Sequence, residues 1–215
     1  MLAYRKLKDY IFSQLEGLPK NLYYHGIHHT KDVANVCEQY IRRERLNSHD
    51  RLMLRVAALI HDIGFLVTYK DHEARGFEMM QPILIEYGFS IEELKKIEGL
   101  VMATKVPQNP LNHLEAIICD ADLDYLGRKD FPEISESLFA ELQQHTLLSD
   151  RMDWLKLQVS FLEKHTYHTT FARRYRTPNK LKQLAKIKAE MDALAKKKVK
   201  SARPLLNVRS SSVGV

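Results

Sequence analysis

The chain has 215 residues, 45% of them hydrophobic and 28% charged, with 8 Gly and 7 Pro, the length and balance of one globular domain or one domain with an appendage. Its longest unbroken apolar run, Val56 to Ile60, is five residues against the roughly 20 that a bilayer span requires, so no membrane span is expected. The charged start from Met1 to Asp9 lacks the apolar stretch and small-residue cleavage site of a secretory signal, and a cytoplasmic protein is expected.

The net charge of +6 divides unevenly: residues 1–172 hold 20 Lys/Arg against 25 Asp/Glu, and residues 173–215 hold 13 against 2. The body is therefore mildly acidic, and the basic excess belongs to an appendage. No aromatic residue interleaves Lys196–Lys200 for base stacking, which argues against nucleic acid as the partner. Cys37 and Cys119 lie far apart in hydrophobic segments. They read as buried thiols, because neither a multi-Cys framework nor a paired CxxC is present.

Apolar residues recur at helical spacing, with no series of alternating strands, so the chain reads as all α. Leu7, Tyr10, Ile11 and Leu15 mark a first helix that stops at Gly17 to Pro19. A loop from Asn21 to His29 precedes a second helix from about Thr30 to Arg45, burying Val33, Val36, Cys37, Tyr40 and Ile41. Ser48 is placed to cap a third helix, whose segment Leu52 to Ile60 is apolar enough to be central. Ser90 with Glu93, and Asn112 with Glu115, resemble capping boxes and predict helices over about 91–103 and 113–126. Periodic stretches cover 73–87, 132–145 and 151–166, and Leu181, Leu184, Ile187, Met191 and Leu194 mark a last amphipathic helix.

Chemistry concentrates at three places. His61-Asp62 follows the central helix; His25, His28 and His29 crowd the entrance to the second; Asp120, Asp122 and Asp124 alternate with apolar residues. Carboxylates within an apolar segment are costly unless paired or metal-bound. Metal sites need more than two ligands, which must converge from separate elements.

This ordered set resembles the HD superfamily of metal-dependent phosphohydrolases over residues 20 to about 175. The resemblance implies an all-α bundle with central ligand-bearing helices and the ligands His29, His61, Asp62 and Asp122. Tyr24-His25 through Val33 is similar to the Tyr-His-Asn-x-x-His-Ala-x-Asp-Val motif of cyclic-nucleotide phosphodiesterases, which selects His29 as ligand and His25 as general acid, with Gly26 in place of Asn. Ala121-Asp122 matches the family's Ala-Asp element, with Asp120 the next choice. His72-Glu73 resembles the element that holds a possible second metal or contacts phosphate, with Glu73 also able to orient water.

Lys105, in an Ala-Thr-Lys that is similar to the phosphodiesterase Ala-Thr-Asp, and Arg173, Arg174 or Arg176 are the expected anion holders. Trp154 reads as core. The HD-type domain is expected at 1–176, followed by an amphipathic helix at 177–197 from its apolar periodicity and a basic flexible tail at 198–215 from its composition.

An ion held by two imidazoles and two carboxylates lowers the pKa of bound water and polarises a phosphoryl oxygen. Mixed N/O ligation suits Mn, Fe, Co, Ni, Mg or Zn. The expected activity is hydrolysis of a small phosphorylated metabolite, a nucleotide, with homodimerisation implied by resemblance. Gly26 and Lys105 weaken the cyclic-nucleotide alternative. A non-catalytic metal-containing regulatory module is the alternative from another class.

Overall fold

A computed structural model describes residues 2–201. Among them are ten α-helices, two short 3-10 turns and no strand, the all-α class that the periodicity predicts. The helices are α1 (Leu2–Leu15), α2 (Ile27–Arg43), α3 (Ser48–Ile60), α4 (His72–Glu86), α5 (Ile91–Ala103), α6 (His113–Asp122), α7 (Phe131–Gln144), α8 (Arg151–Lys164), α9 (Thr170–Tyr175) and α10 (Thr177–Ser201). The 3-10 turns, Ile63–Leu66 and Asp124–Gly127, follow α3 and α6.

The centre is α3. Met53, Leu54 and every residue from Val56 to Ile60 are buried, because α1, α2, α4, α5 and α6 all pack against this one helix. A helix apolar around most of its circumference requires such enclosure. On the other side α10 lies along α8 and over α9 and the Asp124–Gly127 turn. The last helix is thus packed onto the body, and it runs to Ser201, four residues into the stretch read as tail. The rest of that tail lies outside the described residues.

Several local expectations need correction. The loop read as Asn21 to His29 ends at Gly26, so His28 and His29 sit in the first turn of α2. Asn47 rather than Ser48 caps α3, its side chain accepting from Asp50 N at 2.8 Å. The helix predicted over 113–126 stops at Asp122 and continues as the 3-10 turn. The short helix α9, capped by Thr169, has too few residues to show a periodicity. By contrast Ser90 and Glu93 form the reciprocal capping box. Asn112 accepts from Leu114 N and Glu115 N, while Glu115 reaches back to Leu111 N. Both cysteines are free and buried, and burial pushes the Cys37 thiol up to about 12.

Candidate metal centre

Helix ends and turns bring the donors together. His29 enters from the first turn of α2, His61 stands at the C-cap of α3, Asp62 follows it, and Asp122 closes α6. His29, His61 and Asp122 each offer a donor atom within 4.8 Å of one another. Their contacts are tight: His29 Nε2 to Asp122 Oδ1 3.2 Å, His61 Nε2 to Asp122 Oδ1 3.5 Å, and the two Nε2 atoms 3.4 Å apart. Asp62 Oδ2 lies 3.3 Å from both imidazole nitrogens.

These residues fit a divalent cation on three counts. Donors held about 2.0–2.2 Å from one ion stand about 3 Å from each other, close to the separations observed. His61 Nδ1 lies 3.1 Å from the Ala58 carbonyl, which only accepts, so the neutral ring carries its lone pair on Nε2. Asp62 Oδ2 is buried and has no hydrogen-bond partner, a costly position for a carboxylate oxygen. The electrostatics agree. Burial opposes charge on His61, but Asp62 and Asp122 outweigh it and hold the imidazole well above its ordinary range. Burial likewise opposes charge on Asp62 and Asp122, and the histidines outweigh it and keep both carboxyls below theirs. The pocket is built around positive charge.

The neighbouring acids have other work. Asp120 accepts from the backbone N–H groups of His168 and Thr169 at 2.8 and 2.7 Å. Asp124 accepts from Tyr40 Oη and Arg176 Nε at 2.9 and 2.7 Å. Of the three acids in that apolar stretch, Asp122 alone faces the histidines.

The other oxygen of Asp62, Oδ1, lies 3.2 Å from His72 Nε2, which is 3.5 Å from Glu73 Oε1. A close backbone approach sets this second group. A Cβ on Gly64 would stand 1.9 Å from the His72 carbonyl oxygen, so only glycine lets the 3-10 turn seat against the start of α4.

His25 stacks on Phe65 with ring centroids 4.3 Å apart, and Phe65 on His72 at 4.0 Å. Its Nδ1 forms a short hydrogen bond with Glu141 Oε1. Glu141, on α7, is wholly buried. It also accepts from Tyr24 N, His25 N and Tyr69 Oη at 2.8, 3.0 and 3.0 Å. Burial pushes its carboxyl up, but His25 and the two backbone donors outweigh that and hold it below its ordinary value. Sequence reading missed Glu141. The available signal was an acid at helical spacing from Ile134 and Leu138 on a face otherwise apolar.

His25, His29, Asp62, His72, Glu73 and Asp122 border a cavity of about 450 Å³, whose lining does not include His61 or Glu141. Lys105 also borders it, paired with Asp71 at 2.6 Å. Arg173 is not among the lining residues: its guanidinium donates to the carbonyls of Tyr167 and His168, and the lysines that border the cavity are Lys70 and Lys105.

Residues 26–124 match the family model of the HD domain. These residues form an HD domain. HD domains bind divalent metals and are generally metal-dependent hydrolases. The match contains His29, His61, Asp62 and Asp122, and it ends before Glu141 and the α8 wall of the cavity. No curated protein and no solved structure matches the chain significantly. No helix among the described residues is long and apolar enough to cross a membrane.

Proposed function

We propose that the protein is a metal-dependent phosphohydrolase that cleaves a phosphoester bond in a small phosphorylated metabolite, a nucleotide. The observation that carries this reading is the convergence of two imidazoles and two carboxylates at one point beside a substrate-sized cavity, with His25, hydrogen-bonded to Glu141, in the cavity wall. His29, His61, Asp62 and Asp122 would hold the cation, and His72 and Glu73 would share Asp62 with a second one. A divalent ion at this place supplies Lewis-acid activation of water and of a phosphoryl oxygen.

The chain's own groups supply the rest. Glu141 anchors His25 through Nδ1, so Nε2 is the ring nitrogen left to pass a proton to the leaving oxygen as the phosphorus–oxygen bond breaks. The same hydrogen bond fixes the orientation of the ring that donates the proton. Lys105 would exchange Asp71 for the substrate phosphate, with Lys70 beside it.

The test is metal analysis of the purified protein together with a phosphate-release screen over nucleotides, 3′,5′-cyclic nucleotides and simple phosphoesters, with Mn, Fe, Co, Ni, Mg or Zn added. Metal-dependent turnover that disappears in Asp62→Ala and Asp122→Ala, both still folded by circular dichroism, is the expected result. Full activity in either variant would sink the assignment. Turnover of cyclic substrates alone would replace it with a phosphodiesterase, and bound metal without any turnover with a regulatory module.

A further inference from the structure

The cavity has two unlike halves. One holds the charged groups described above. The other lies between α7 and α8, which present Phe131, Ser135 and Leu138, and Trp154, Leu157, Gln158, Phe161 and Leu162. The α8 positions follow the i, i+3, i+4, i+7, i+8 pattern of a single helical face. That pattern reads in sequence as a buried stripe. In the structure Trp154 is indeed buried, stacked on Phe139 at 5.6 Å, yet it also borders the cavity.

Within this apolar lobe the one polar pair is Ser135 with Gln158. Both are more than nine-tenths buried, and Gln158 Nε2 donates to Ser135 Oγ. That bond uses one amide hydrogen. The second amide hydrogen, the amide oxygen and the hydroxyl proton remain for another partner.

A polyhydroxylated group seated here would strip water from several hydroxyls and find few replacements, a penalty for each one left unpaired. A flat ring with a polar edge loses nothing on its faces, and that edge meets a donor and an acceptor side by side. We propose that the lobe receives the nucleobase of a nucleotide substrate and that Gln158, positioned by Ser135, reads its edge. The proposal rests on the phosphohydrolase reading, which puts the phosphate at the charged half.

Trp154 is the chain's single tryptophan, four residues before Gln158 on the same face, so its emission reports on the lobe without any need for turnover. Wild type and Gln158→Leu are titrated with the four ribonucleoside 5′-monophosphates and with ribose 5-phosphate, which keeps the phosphate and sugar but lacks the base. At least one nucleotide should shift the emission and bind tenfold or more tightly than ribose 5-phosphate, and Gln158→Leu should cut that ratio about tenfold. Should Gln158→Leu lose its circular dichroism signal, Ser135→Ala is the second variant and is expected to cut the ratio too.

Ribose 5-phosphate binding as tightly as the best nucleotide, or a ratio that a folded variant leaves unchanged, would overturn the proposal. Phosphate release from the same five compounds is read separately. Release from none, with the binding ratio intact, removes the hydrolase reading and keeps the lobe. Equal release from all five keeps the hydrolase and removes the lobe.

Discussion

Glu141 shows how much one side chain can organise. Its two oxygens take four donors, two from the backbone before α2 and two from the side chains of His25 and Tyr69. In Glu141→Gln the amide oxygen can still serve the two backbone N–H groups, while the amide nitrogen turns a donor toward His25 Nδ1. The ring then loses the acceptor that takes its Nδ1–H and orients it. We expect kcat to fall about 100-fold, the lower end of a general acid's contribution, with KM little changed and the protein folded. Steady-state kinetics decide it: a KM effect alone would give Glu141 a purely structural role. His61→Ala and Asp122→Ala should each abolish bound metal and hydrolysis, checked by elemental analysis and phosphate release.

Between elements, the close seating of the Ile63–Leu66 turn on α4 joins the two halves of the charged site. Asp62 precedes the turn and His72 begins the helix, so their 3.2 Å contact depends on the Gly64 approach. Gly64→Ala cannot be absorbed by a side-chain adjustment, because the obstacle is backbone. It should cost about 1–3 kcal/mol of stability, the usual scale of overpacking, and lower activity by displacing His72. Thermal denaturation and kinetics on one preparation test this; an active variant of unchanged Tm would mean the turn has room to move. Ser90→Ala, at a cap remote from the cavity, should cost about 1 kcal/mol and leave turnover alone.

At the scale of the whole molecule, two ionisable assemblies set stability. Four ligands, His29, His61 and Asp62 buried and Asp122 partly so, face one another in the charged site, so metal removal by a chelator should lower Tm, in proportion to the bound state's free-energy advantage. An unchanged Tm would show that the ion contributes nothing to the fold. The second assembly joins α8 to α10: Lys180 donates to the carbonyls of Leu162 and His165 and lies 3.4 Å from His165 Nδ1. Burial and then the Lys180 charge push His165 down to about 3. The folded state therefore keeps this ring neutral, while the unfolded chain takes up a proton below about pH 6.5. Its contribution is complete above that pH and declines between about 6.5 and 3, with a slope of up to about 1.4 kcal/mol per pH unit. Denaturant titrations at pH 7, 5 and 4 should show this loss, and His165→Gln should flatten it.

Local regularities in the chain determined the helices, since burial of one face at 3.6-residue spacing and capping residues act over a few positions. They also determined the ligand types, because His61-Asp62, the histidines before α2 and Ala121-Asp122 carry their chemistry in order along the chain. Which of three histidines and which of three aspartates meet was decided by tertiary structure, where the first turn of α2 meets the ends of α3 and α6. The partners furthest along the chain were the least legible. Glu141 stands 116 positions from His25, and one acid on an apolar face does not announce what it will touch. Arg173 offered a charge suited to phosphate, but folding spends it on two backbone carbonyls. The α8 stripe looked like core because burial in protein and burial against a cavity impose the same spacing on a sequence, and only the space left between α7 and α8 separates the two.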